Sequence, residues 1–187
     1  SIQDNFEKAV LTVISAMLFF AFFQFNHWLF SGLEYRHGVN WVFLPAGFRV
    51  ILVLIMGLPV ALGIVLGTWF IDRELISGAS MSLVFLNGMV SGLTPLLMLK
   101  VLNKWHGMGP QLQLLTAPQL LNMTLIFSAA SALAHHLAWL LVGNSDINIW
   151  VDIWPMFIGD ATGTVLMLYS LKFILNRVRL KALVHPR

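Results

Sequence analysis

The run AVLTVISAMLFFAFFQF, residues 9–25, contains no charged side chain. A helix needs about 20 mostly apolar residues to cross roughly 30 Å of hydrocarbon, and several other stretches of this chain meet or approach that length. The strict apolar and polar alternation of membrane strands is missing, so a barrel is not expected and the predicted fold class is all-α. Composition agrees: 58% of the 187 residues are hydrophobic and 10% charged, with a mean hydropathy of +0.83. A typical soluble domain carries about 25% charged residues. The chain reads as a polytopic integral membrane protein, a compact bundle forming one transmembrane domain over residues 1–187.

Six spans are expected. The first covers about Ala9 to Phe30 and ends in the interfacial group Asn26, His27, Trp28. The polar connection GLEYRHGVN follows. Residues 41–71, WVFLPAGFRVILVLIMGLPVALGIVLGTWFI, are too long for one ordinary span, and Gly57 and Pro59 supply the punctuation of a tight turn. Two short helices, 42–56 and 59–71, are therefore predicted, followed by spans over 81–102, 118–142 and 149–175. The loop KWHGMGPQLQLLTAP separates the fourth and fifth, and GNSDINIWVD precedes the sixth.

Basic residues collect in cytoplasmic connections of membrane proteins. With six spans and both ends inside, Lys8, Lys100, Lys104, Lys172, Arg177, Arg179, Lys181 and Arg187 are cytoplasmic. Only Arg36 and Arg73 fall outside, each beside acids, and Arg49 is left within the membrane. The formal net charge of +3 owes much to the basic tail 176–187. It fits a membrane flank, so the lipid bilayer is the expected partner and nucleic acid is not. Cysteine is absent, which removes disulfides, iron–sulfur ligation and thiol nucleophiles. The first residue is Ser, so a processed or excerpted chain is expected, with no cleavable signal ahead of the first span.

Asp160 lies half-way along the last span. An ionised Asp at that depth costs on the order of 3 kcal/mol even on lenient scales, so it should face a partner charge or trapped water. Arg49, at similar depth, is the expected partner, since a pair stays charged where neither group would alone. Asn87, His135 and Thr162 complete the candidate ligand or switch residues, with Arg49, Asn87, His135 and Asp160 placed around one cavity opening outward. His135 and His136 are adjacent and point about 100° apart, so they are not a metal pair, which would need an i, i+4 spacing. No metal site is expected. Gly63 and Gly67, Gly88 and Gly92, and Gly159 and Gly163 recur at four-residue spacing, which suits close helix packing. No nucleophile elbow, phosphate loop, HExxH or paired carboxylate appears, so no catalytic residues and no cofactor are assigned.

Three segments resemble the membrane-associated sensor domains of the MASE type, multi-span bacterial modules usually fused to diguanylate cyclases or histidine kinases. They are WVFLPAGFRVILVLIMGLPVALGIVLGTWFI, LVFLNGMVSGLTPLLMLKVLNKW and IWPMFIGDATGTVLMLYSLKFIL. The last is similar to that family's aromatic-x-x-Gly-Asp-x-x-Gly helix through Trp154, Gly159, Asp160 and Gly163. The resemblance covers about residues 40–175 and implies a non-catalytic sensor or docking module. The expected span count is lower than is usual for that family, and since no output domain is read after Arg187, either an excerpt or a chain that signals through a separate partner is expected; the second suits an accessory subunit bound to another integral membrane protein of the bacterial inner membrane. Two other readings stand beside it: the substrate-binding subunit of an energy-coupling uptake transporter, for which the first helix offers Thr12 and Ala16 as a docking stripe, and a pigment-, haem- or quinone-binding subunit, prompted by His27, His135 and the tryptophans.

Overall fold

Ser1 opens the first helix, α1 (Ile2–Phe30), with a reciprocal cap. Its hydroxyl accepts from the Asp4 amide, and its ammonium donates to the Asp4 carboxylate at 2.8 Å. The structure, a computed structural model, describes residues 1–77, 81–106, 115–143 and 146–184. After α1 and one turn of 3-10 helix, a two-stranded antiparallel ribbon forms from β1 (Glu34–Arg36) and β2 (Val39–Asn40). Gly38 makes its turn at φ +75°, in the left-handed region that glycine enters without a Cβ penalty.

The helices α2 (Leu44–Met56) and α3 (Leu58–Ile71) meet at Gly57, whose φ of 70° and ψ of −139° suit glycine alone. Phe22 stacks on Phe48 with ring centroids 4.8 Å apart, and Phe23 meets Phe43 edge-on, so α2 runs antiparallel to α1. The Thr12 hydroxyl donates to the Pro59 carbonyl at 3.0 Å, and Phe20 meets Phe70 further along, so α3 runs parallel to α1. The two short helices therefore form a hairpin, with the tight turn where Gly57 and Pro59 place it.

Three long helices follow: α4 (Met81–His106), α5 (Ala117–Leu141) and α6 (Ile149–Val184). Among the described residues four helices, α1, α4, α5 and α6, are long and apolar enough to cross a membrane. The hairpin helices have 13 and 14 residues, about 20 Å each at 1.5 Å per residue. The last helix runs past the expected end of its span at 175, continuing through the basic segment to Val184. Nothing between Leu175 and Val184 breaks a helix, and cationic side chains near a helix C-terminus suit its dipole. The central parts of the loops after α4 and α5, residues 107–114 and 144–145, lie outside the described residues.

Around the bundle α1, α3, α4, α5, α6 and α2 adjoin in that order, and α2 closes back onto α1. The glycine pairs sit at these seams. A Cβ on Gly63 would meet the Thr12 carbonyl of α1 at 2.5 Å, and one on Gly92 the Ala61 carbonyl of α3 at 2.3 Å. Gly67 also faces α1, and Gly88 lies under the Trp69 ring. Gly159 and Gly163 do something different from the expected helix-to-helix contact: they admit the extended chain that enters α2. Their Cβ atoms would fall 1.7 Å from the Asn40 carbonyl oxygen and 1.9 Å from that of Phe43.

That close approach lets the Phe43 amide donate to the Gly159 carbonyl at 3.1 Å. Asn26, expected at the interface, is instead buried, and its side-chain oxygen accepts from the Leu44 amide at 2.9 Å. The first turn of α2 begins inside the bundle, away from water, so its free amides need partners from the protein. The main apolar core, including Val60, Ile64, Leu120, Met123 and Leu168, fills the half of the bundle nearer the chain ends. The half nearer the ribbon holds a smaller cluster around Val39, Ala132 and Met156.

Candidate functional site

Because α2 starts part-way down the bundle, the space above it is left to the ribbon and to a chamber of about 440 Å³. Its mouth lies among His37, Gly38, Asp72 and Asp146, at the end opposite the two chain ends. Phe19, Phe23, Phe43, Leu83, Trp139 and Met156 supply apolar wall, while Asn87, Ser91, His135 and Arg49 follow one another inward.

Arg49 and Asp160 are brought together. Their closest nitrogen and oxygen stand 3.6 Å apart, and the two residues are 4% and 2% exposed. The same Arg49 nitrogen donates to the Ser131 hydroxyl at 3.4 Å, and the ring of Phe43 lies 5.9 Å from the guanidinium carbon. Arg49 Nε and Asp160 Oδ2 are buried without a hydrogen-bond partner. The position expected for Asp160 needs correction: it does not line the chamber. It lines a second cavity, of about 10 Å³, behind Arg49, together with Thr94, Pro95, Ser128, Ser131 and Thr164.

Asn87 and His135 line the chamber as expected. The Asn87 amide donates to Asp72 Oδ2 at 2.6 Å. His135 Nδ1 lies 2.8 Å from the Ser131 carbonyl, an acceptor only, so that nitrogen donates. In the neutral tautomer Nε2 then accepts from the Ser91 hydroxyl at 3.0 Å. His136 turns away to the Ala132 carbonyl and packs on Trp139 at 4.8 Å. Thr162 is a second correction. Its hydroxyl donates to the Ile158 carbonyl and lies 3.3 Å from the Trp41 carbonyl, on the outside of α6 and away from the chamber.

The mouth holds groups that the sequence reading passed over. Asp72 pairs with His37 at 3.4 Å, tying α3's end to the ribbon. The hydrogen bond to Asp72 raises the His37 pKa above its ordinary value, against an opposing effect of burial. Arg36 pairs with buried Asp152 at 3.3 Å rather than with nearby Glu34, and Tyr35 donates to the same carboxylate at 2.6 Å. That bond holds the Tyr35 pKa above its usual range, since the phenolate would lose it. Ser91 and Ser131 each had a sequence signal: they stand four residues from Asn87 and His135, on the same helix faces. Among the described residues no cluster of three potential metal ligands occurs. Comparison with protein-family models, with curated proteins and with solved structures finds no match to this chain.

Proposed function

We propose that this chain is a non-enzymatic sensory or accessory subunit of a bacterial inner membrane, which takes a small ligand into the chamber from outside and passes its occupancy to a partner membrane protein. In this reading all six helices cross the bilayer and both ends are cytoplasmic. The alternating helix directions support it, as does the clustering of Lys100, Lys104, Lys172, Arg177 and Arg179 toward the end of the bundle that carries the chain ends.

The observation that carries the proposal is the contact of Arg49, in the chamber wall on α2, with Asp160 on α6. A ligand that shifts the guanidinium changes the only oppositely charged contact given to Asp160 among the described residues. Asp160 sits on the longest helix, whose 36 residues extend about 54 Å. That exceeds the roughly 30 Å of hydrocarbon, so the end of α6 is available to a partner beyond the membrane. The resemblance to MASE-type sensor domains points the same way.

The uptake-transporter reading is weakened by the use of its docking stripe inside the protein, where Thr12 and Ala16 receive Gly63 and Gly67 of α3. A haem reading would have to break the bonds that already hold both ring nitrogens of His135. The test is purification in mild detergent followed by native mass spectrometry of the wild type and Asp160→Asn. The proposal expects a co-purifying small molecule or membrane protein whose retention changes in the variant. Identical retention, with unchanged thermal stability, would remove Asp160 from the function; a coloured preparation would revive the pigment reading.

A further inference from the structure

The chamber presents charge unevenly. Arg49 belongs to its wall, whereas Asp160 belongs only to the small cavity on the far side of the guanidinium. A molecule inside therefore meets the cation before it meets the counter-ion. Arg49 also has donors to spare. A guanidinium carries five N–H groups, and the contacts it makes, to Ser131 at 3.4 Å and Asp160 at 3.6 Å, are both long and both fall on the same nitrogen, Nη2.

The neighbouring polar groups do not compete for those donors. Ser91 and His135 satisfy each other, and Asp72 at the mouth is held by Asn87 and His37. Around Arg49 the walls are apolar and aromatic, with Phe43, Phe19, Phe23 and Trp139 in reach of an occupant. We infer that the chamber selects a small organic acid, its carboxylate on Arg49 and its apolar body between Phe43 and Trp139. This rests on the ligand-chamber reading above and names its ligand class.

A carboxylate suits this site better than a phosphate ester. The planar fork of a guanidinium matches two carboxylate oxygens, whereas the second charge of a phosphate would call on Arg36, which Asp152 already holds at 3.3 Å. A bare inorganic anion would leave the aromatic wall wet. The volume, about 440 Å³, lies toward the lower end of the roughly 300–1,000 Å³ usual for small-molecule sites.

The test is titration calorimetry on the full chain in lipid nanodiscs, with a panel of aryl and medium-chain alkyl carboxylates, each paired with its uncharged primary amide. At least one acid should bind about tenfold or more tighter than its amide. Arg49→Gln alone strands Asp160 without its counter-ion and threatens folding, so the comparison uses Arg49→Gln with Asp160→Asn, which removes both charges and keeps both shapes. That double variant should lose the preference for acid over amide. Asp160→Asn alone should bind the acid more tightly, because the guanidinium loses its competing anion, a change opposite in sign to general damage. Amides binding as well as acids, or a preference that survives in the double variant, overturns the organic-acid inference and leaves the chamber reading standing. No binding by either class, together with no co-purifying small molecule, overturns both.

Discussion

A buried guanidinium facing a buried carboxylate at 3.6 Å is a compromise between two costs. Desolvation of each ion is large, and the attraction between them compensates only while both are present. Arg49→Gln is therefore expected to destabilise the protein by about 3–5 kcal/mol, and Asp160→Asn likewise. The double variant should lose much less than the sum, because it strands no charge. Thermal unfolding in one detergent across the four proteins measures this, and additive losses would show that the two groups do not depend on each other. At the mouth, the contact between His37 and Asp72 has a different signature. The folded pKa of His37 lies above its unfolded value, so its stabilisation is complete below the unfolded pKa of about 6.5. It fades as pH rises through the higher folded value. Hydrogen exchange of the ribbon amides should accordingly quicken between mildly acidic and alkaline pH beyond the intrinsic base-catalysed rise. His37→Gln should flatten that excess.

Among the elements, the ribbon and the start of α2 are the unusual parts, and both depend on what α6 lacks. Gly159→Ala and Gly163→Ala drive a methyl into the carbonyls of Asn40 and Phe43, so each should cost about 1–3 kcal/mol, the usual range for overpacking. Gly32→Ala, where nothing lies within 4 Å of the new atom, is the matched control and should change little. Melting curves of the three variants decide the point. The helices themselves were legible in the sequence, because uninterrupted apolar runs declare membrane helices and Gly57 with Pro59 marks a turn whatever surrounds it. The ribbon was not legible: EYRHGVN has no period-two apolar face, and its strands exist because Gly38 turns the chain and Asp152, more than a hundred residues later, holds Arg36 and Tyr35. Arg49 and Asp160 could be paired on paper by depth alone. Which of them faces the chamber depends on how far each side chain reaches, and depth says nothing about that.

At the scale of the whole molecule, the alternating helices make a prediction about sidedness. The chain contains no cysteine, so a single introduced thiol reports its own location without background. Trp28, 75% exposed near the ribbon end, and Met56, 44% exposed beside the hairpin turn, lie at opposite ends of the bundle. If the hairpin crosses the bilayer, an impermeant maleimide should label Trp28→Cys from outside intact cells and Met56→Cys only after the inner face is opened. Labelling of both from one side would reduce the hairpin to a segment that enters and leaves on the same surface. The shortness of that hairpin also bears on the lipid around it. Leu62, Leu66 and Phe70 face outward from α3, and if α3 crosses the bilayer it is a rod roughly one-third shorter than the hydrocarbon around it. In that arrangement acyl chains along that flank would have to shorten or tilt to meet it, at a modest cost per ångström. The protein should therefore carry a local dimple with it, and settle most easily where the surrounding leaflet is already thin.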